Sequence, residues 1–266
     1  LFVKASGADM ATIAPSDHVG LDLEFLLRLR DLPDMDDSLM VELLRTHLLR
    51  ADSPTPSIEA LVHAFLPAVY VDHTHADAIL ALTNRDDGLA IVKEALGPDV
   101  IVLPYVTPGF KLALAAARAL DDHPDAWGMV WAHHGIVTWG DTAQASYETM
   151  IRLVTRAEQY VAASRAKPGA PPAAGRPLVA VQPKTEERSD VRLAQVAPVV
   201  RGLLAERTGD CARPYRRVVL QSLTGPEVLS ALGSPGAREA FVNPALTTDH
   251  LIRTKALPLL VEGVDF

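Results

Sequence analysis

Nine histidines occur in the 266 residues, and five of them fall in three short segments: His63, His73 with His75, and His133 with His134. His73 and His75 are two apart, at the end of a run, Ala68–Asp72, that reads as a buried strand. An extended backbone turns residues i and i+2 to the same face, so both rings can reach one point. His133-His134-Gly135 follows a second extended run, Trp127–Ala132, where the glycine is expected to permit a sharp backbone turn. Three imidazoles around one point are the ligand set of a catalytic zinc with its fourth position open. Such a centre also needs a carboxylate, to move protons or to fill that position when substrate is absent. Glu59 is the candidate, in the first turn of a helix ahead of the HxH strand and off the apolar stripe Ile58, Leu61, Val62 and Phe65. Each piece alone is ordinary. An HxH at a strand end is commonly structural, and a lone helix carboxylate is usually solvated. His63, one turn past Glu59, reads as a hydrogen-bonded or core histidine. What points to chemistry is the order: carboxylate helix, HxH strand, then HHG after a further strand.

The elements that must position these residues follow from periodicity and punctuation. Leu1–Lys4 reads as extended, with a turn at Ala5-Ser6-Gly7. Asp22–Arg30 and Asp37–Leu49 have helical spacing. Thr55-Pro56 and Thr107-Pro108 both read as an N-cap followed by proline at the first helical position. They predict helices to about Leu66 and over Phe110–Leu120. Further helices are expected over Asp77–Leu82, Ile91–Leu96 and Thr142–Ala166, and strands over Val100–Leu103 and Ile136–Trp139. Strands alternating with helices indicate a layered α/β domain. The Pro, Gly and Ala-rich segment 167–177 reads as a linker or long loop between a domain over 1–166 and an extension over 178–266 that packs on it. Within that extension, helices are expected over Ala194–Ala205 and Glu227–Leu232 and a strand over Arg217–Gln221. The tail Thr247–Leu259 shows no clear period, and the C-terminal third carries no group of residues that reads as catalytic.

Composition narrows the function classes. Hydrophobic residues make up 48% and charged residues 22%, as in a globular protein rather than a disordered one. A net charge of −8 argues against a broad nucleic-acid footprint. The single cysteine, Cys211, allows no internal disulfide, which fits a reducing, cytoplasmic setting. No apolar run reaches the roughly 18 residues of a membrane span. The chain opens on Leu, and LFVKASG reads like the middle of a domain, so a preceding segment is expected.

The segments 56–83 (PSIEALVHAFLPAVYVDHTHADAILALT), 103–113 (LPYVTPGFKLA) and 130–148 (VWAHHGIVTWGDTAQASYE) together resemble the class II aldolase/adducin family. The resemblance covers about residues 1–165. The C-terminal part, with TTDHLIRTKALPL at 247–259, is similar to the stretch after the aldolase domain in fused rhamnulose-1-phosphate aldolase/short-chain dehydrogenase proteins. No glycine-rich GxGxxG, the mark of the dehydrogenase half, occurs in the chain. The resemblance implies a three-layer αβα fold, with a central mixed, mainly antiparallel sheet flanked by helices. It implies a zinc site of His73, His75 and His134, with Glu59 as metal ligand or acid/base, and His133 pointing away. Other divalent transition metals suit the same imidazoles. Tyr105 matches a family tyrosine that reaches the active site of a neighbouring subunit. Ser6 and Gly7 match the family's phosphate-binding turn, and Ser57 matches one serine of a phosphate-binding pair. Ile58 stands where the family has the other, and the family's GN-S segment does not occur in the chain.

The activity so implied is reversible cleavage of a ketose 1-phosphate, of rhamnulose or fuculose type, to dihydroxyacetone phosphate and lactaldehyde. A cation would stabilise the enediolate. Glu59 would protonate its carbon, and Tyr105 of a neighbouring subunit would serve the C4 hydroxyl or protonate the aldehyde oxygen. The expected assembly is a homo-oligomer, a tetramer in the family. Sugar-phosphate 4-epimerases share this chemistry, as do dehydratase and decarboxylase relatives. An adducin-like interaction domain shares the fold without the histidines.

Overall fold

The computed structural model describes residues 1–165, 186–222, 225–233, 237, 239 and 245–254. The chain divides into two compact units: Leu1–Lys167 with Leu246–Arg253, and Pro168–Ala245 with Thr254–Phe266.

The first unit starts with a hairpin, β1 (Phe2–Lys4) antiparallel to β2 (His18–Gly20), and three helices, α1 (Leu23–Arg28), α2 (Asp37–Thr46) and α3 (Ala60–Phe65). Then follow β3 (Tyr70–Thr74), α4 (Asp77–Thr83), α5 (Gly88–Leu96), β4 (Val100–Leu103), α6 (Phe110–Asp122), β5 (Gly128–Trp131), β6 (Gly135–Gly140) and α7 (Ala143–Arg165). The four later strands form one sheet in the order β3-β6-β5-β4, with β4 and β5 parallel and the other pairs antiparallel.

Alternate residues of this sheet serve two cores. Ile101, Met129, Trp131 and Val137 pack with Leu26, Met40, Leu61, Phe65 and Phe110, beneath α1, α2, α3 and α6. Their immediate neighbours Val100, Val130 and Ile136 pack on the other side with Ile79, Leu80, Val92 and Leu153, beneath α4, α5 and α7. Strands apolar on both faces are what a sheet covered twice requires. Each fully buried Leu or Phe contributes roughly 1.5–3 kcal/mol. The protein is thus a three-layer α/β fold around a mixed, mainly antiparallel sheet.

Several boundaries depart from the sequence reading, each because tertiary pairing overrides local propensity. Thr55-Pro56 does not start a helix. Ala5 and Pro56 form a β-bridge, Ser6 N–H donates to Thr55 O at 2.8 Å, and Ser57 N–H donates to Lys4 O at 3.1 Å. Extended pairing with the end of β1 holds these residues, so α3 begins only at Ala60, and Ile58 is exposed in the turn before it. Thr107-Pro108 likewise precedes the helix, which opens after Gly109.

In the second unit, α8 (Glu186–Leu203) starts eight residues before Ala194. A small hairpin pairs β7 (Glu206–Arg207) with β8 (Tyr215–Arg216), and α9 covers Pro226–Leu232. The strand expected over Arg217–Gln221 is not formed. The hairpin ends with Arg216 opposite Glu206, so no partner among the described residues continues the ladder. Residues 167–177 lie outside the described residues. Of the tail read as aperiodic, Thr248–Thr254 forms a helix, α10, which belongs to the first unit up to Arg253, and residues 255–259 lie outside the described residues. Among the described residues no helix is long and apolar enough to cross a membrane.

Candidate metal centre

The register of β3 on β6 sets the orientation of the HxH pair. His73 lies opposite Val137 and Val71 opposite Trp139, all on the face of the first core. Thr74 points the other way, towards Met150. His75, one residue beyond β3, returns to the His73 side, and the two Nε2 atoms lie 3.0 Å apart. Each ring has its other nitrogen engaged. His73 Nδ1 donates to Ile136 O at 2.9 Å, and His75 Nδ1 donates to the Asp249 carboxylate at 2.8 Å. These partners, acceptors both, assign the proton to Nδ1 and leave a lone pair on each Nε2.

Glu59 is the N-cap residue of α3, but its side chain makes no capping bond. Ser57 Oγ accepts from Glu59 N–H at 3.2 Å, in the turn ahead of the helix. The Glu59 carboxylate, not used as a cap, turns inward, with Oε1 at 2.8 Å from His134 Nε2 and 3.5 Å from His73 Nε2. His134 is buried, and its Nδ1 has no hydrogen-bond partner among the described residues. Trp131 forms the floor, with its ring centroid 4.8 Å from that of His73 and 5.1 Å from that of His134.

The turn that presents His134 is made differently from the sequence reading. The left-handed residue is His133 (φ 58°), not Gly135. This costly conformation is held by His133 N–H donating to Thr83 Oγ1 at 3.2 Å and by Nδ1 against Asn84 Oδ1 at 3.0 Å. The His133 ring is thus directed away from the other three. Gly135 is needed for closeness instead. A Cβ there would lie 2.4 Å from Thr74 O, 3.0 Å from His73 Cε1 and 3.1 Å from His75 Cδ2.

The other residues singled out in the sequence are placed as follows. Ser6 and Gly7 (φ 79°) form an exposed turn beside Ser57, linked through the Ser6–Thr55 and Ser57–Lys4 backbone bonds. Lys4 Nζ donates to Ala5 O and Ala8 O across that turn. Tyr105 is 55% exposed, and among the described residues its ring faces that of His133, at 6.3 Å between centroids, so it is apart from the four converging side chains. His63, one turn after Glu59, is held below its ordinary pKa by burial, against the opposing charges of Glu59 and Asp72. The sequence reading missed Asp249 and Thr248. Thr248 Oγ1 lies 2.8 Å from His75 Nδ1. No local signal marks them, because they are more than 170 residues from their partner.

The charge states suit a cation. Burial alone would raise the Glu59 pKa. The charge of His73, the hydrogen bond and charge of His134, and the charge of His75 outweigh it and bring Glu59 down to about 2. Burial lowers His73 to about 4, aided by His134 and His75 and opposed by Glu59 and the bond to Ile136. At neutral pH the site therefore offers an anion beside a neutral imidazole. One ligand atom from each of Glu59, His73, His75 and His134 lies within 4.8 Å of the others. Tetrahedral ligands about 2 Å from an ion are roughly 3.3 Å apart, and the shortest separations here, 2.8 to 3.5 Å, bracket that. Two facing lone pairs 3.0 Å apart repel unless a positive charge lies between them.

The fold and this cluster agree with what the chain is similar to. Residues 1–161 match the Class II Aldolase and Adducin N-terminal domain, and residues 191–265 match the aldolase class II second domain. The chain belongs to the class II aldolase/adducin family. Across 262 residues it is 33% identical to YuxG of Bacillus subtilis (strain 168), named an uncharacterized oxidoreductase. The alignment takes in 98% of this chain but 36% of YuxG, so the chain spans about a third of that relative's length. The N-terminal class II aldolase domain of a conserved protein from Thermoplasma acidophilum is 37% identical with a TM-score of 0.56. That likeness covers 59% of this chain and 73% of the other.

Proposed function

We propose that this chain is a metal-dependent aldolase that reversibly cleaves a ketose 1-phosphate, of rhamnulose or fuculose type, to dihydroxyacetone phosphate and lactaldehyde. The observation that carries the reading is the pair of Nε2 atoms 3.0 Å apart, each ring with its Nδ1 turned to an oxygen acceptor, closed on the other side by Glu59 and His134. His73, His75, His134 and Glu59 are read as the residues that hold the ion, zinc by preference for three imidazoles. Bound there, a divalent cation supplies a Lewis acid for the carbonyl and hydroxyl oxygens of a ketose.

The chain's own groups supply the rest. Cleavage of C3–C4 takes a proton from the C4 hydroxyl and leaves an electron pair at C3 that must later be protonated. Glu59, ionised at rest and within reach of the ligand cluster, is read as the group that takes up the proton released in cleavage and then delivers it to C3, so that it ends the cycle ionised again. Tyr105, exposed on its own subunit, is read as serving the C4 hydroxyl of a neighbouring copy, which makes the working form a homo-oligomer, a tetramer by family analogy. The turn at Ser6-Gly7 beside Ser57 is read as the phosphate grip, with Lys4 behind it. The single cysteine supports a cytoplasmic location for this chemistry. The name of YuxG refers to a protein about three times as long, and no GxGxxG occurs in this chain.

The test is metal analysis followed by turnover. Purified protein is expected to carry one zinc per chain, lost in His73→Ala, and to release lactaldehyde from rhamnulose 1-phosphate or fuculose 1-phosphate. A metal-replete protein that releases none from either sugar refutes the aldolase reading, and 4-epimerisation is the next assay.

A further inference from the structure

We propose that the far end of the chain completes this centre: Asp249 and Thr248, on α10, are positioning residues that hold the His75 ring with Nε2 turned to the ion. The inference rests on the metal reading above. It goes beyond the four converging side chains, because it assigns a role to a segment whose sequence shows no pattern.

The two imidazoles of the HxH pair need different supports. His73 lies within β3, so the neighbouring strand provides a carbonyl, Ile136 O, that fixes its tautomer. His75 lies past the last paired residue, Thr74, where the ladder ends, so the register provides no partner strand residue opposite it among the described residues. A neutral imidazole without an acceptor at Nδ1 spends part of its time with the proton on Nε2, where it cannot bind a cation. Asp249 Oδ2, at 2.8 Å, supplies that acceptor, and Thr248 Oγ1 lies against the ring, 2.8 Å from the same nitrogen and 3.4 Å from Nε2. An ionised carboxylate there also makes Nε2 a stronger donor to a metal.

A second contact shows that the segment is held in place rather than lying there by chance. Asn84, whose Oδ1 steadies the His133 turn, donates its Nδ2 to Leu246 O at 2.9 Å. Thr247 is buried, and its Oγ1 accepts from His250 N–H at 3.3 Å, closing the first turn of α10. One side chain, Asn84, therefore ties both the turn before His134 and the segment that carries Asp249. The Asp249 side chain itself is 60% exposed, so core packing does not account for its place.

The experiment measures zinc affinity by chelator competition in the full 266-residue chain, for wild type, Asp249→Ala, Asp249→Asn and Thr248→Ala. Visible spectra of the Co2+-substituted proteins are recorded alongside. Asp249→Ala is expected to weaken zinc binding 10–100-fold and to alter the Co2+ ligand-field bands, with the circular dichroism unchanged. Asp249→Asn, which keeps an oxygen acceptor without the charge, is expected to recover most of the wild-type affinity and spectrum. Thr248→Ala is expected to have a smaller effect. Wild-type affinity within twofold and an unchanged Co2+ spectrum in Asp249→Ala overturn the proposal while leaving the metal reading standing. A wild type that binds no zinc overturns the metal reading, and this proposal falls with it. If Asp249→Ala loses its helical signal, Asp249→Asn decides: wild-type affinity and spectrum support the positioning role, and a loss as large as that of the unfolded chain overturns it.

Discussion

Substituting Gly135 by alanine perturbs both halves of the HxH pair with one methyl group. The new Cβ would lie 2.4 Å from Thr74 O, 3.0 Å from His73 Cε1 and 3.1 Å from His75 Cδ2. Comfortable contacts of carbon are about 3.5–4 Å, so β3 must retreat from β6 by roughly 1 Å at that point. Forced overpacking costs about 1–3 kcal/mol. Alanine recovers about 0.4–1 kcal/mol of that by restricting the unfolded chain. The expected net loss is about 1–2 kcal/mol, or roughly 2–8 °C in Tm for a unit of this size. Both imidazoles are carried by the residues that must move, so zinc affinity is expected to fall at least about tenfold, in line with the sensitivity of metal sites to ligand placement. Calorimetry of the metal-free protein and chelator competition with zinc measure the two effects separately. A Gly135→Ala protein with wild-type Tm and wild-type zinc affinity would show that the close approach of β6 to the two histidines does not set the site.

Three further outcomes follow from the same geometry. Glu59→Gln keeps a group of the same shape between His134 and His73 and is expected to leave the fold intact while lowering turnover roughly 10²–10⁴-fold. Unchanged turnover removes Glu59 from the mechanism. Tyr105→Phe is expected to lower turnover with zinc content unchanged, because Tyr105 is apart from the ligand cluster; loss of zinc in this variant contradicts that separation. The metal-free protein should lose stability in acid. Between pH 6.5 and about 4 the unfolded chain binds a proton on His73 that the folded chain refuses, so stability rises with pH across that window. The loss on acidification is at most about 3 kcal/mol for a shift of this size. Urea midpoints of the metal-free protein at pH 4.5 and pH 7 check the sign, and a higher midpoint at pH 4.5 refutes it.

Local chemistry determined much of this protein before any folding. The apolar run Val100–Leu103 is a strand, the Ala-rich run from Phe110 is a helix, and residues 73 and 75 share a face because an extended chain repeats every two residues. The order of glutamate, HxH and HHG along the chain singled out Glu59, His73, His75 and the His133-His134 pair; the choice of His134 within that pair came from the family resemblance, and it is His134 that converges with the other three. Tertiary structure decided what depends on groups distant in sequence. Thr55-Pro56 has the composition of a helix start, yet the open edge of β1 claims its backbone, which delays α3 and leaves Glu59 at its cap. The left-handed turn falls on His133 rather than on the adjacent glycine, because Thr83 and Asn84 are there to hold it, and the glycine is spent on closeness to β3. Asp249 and Thr248 reach His75 across more than 170 residues, and a contact of that range leaves no periodicity or spacing for a sequence to display.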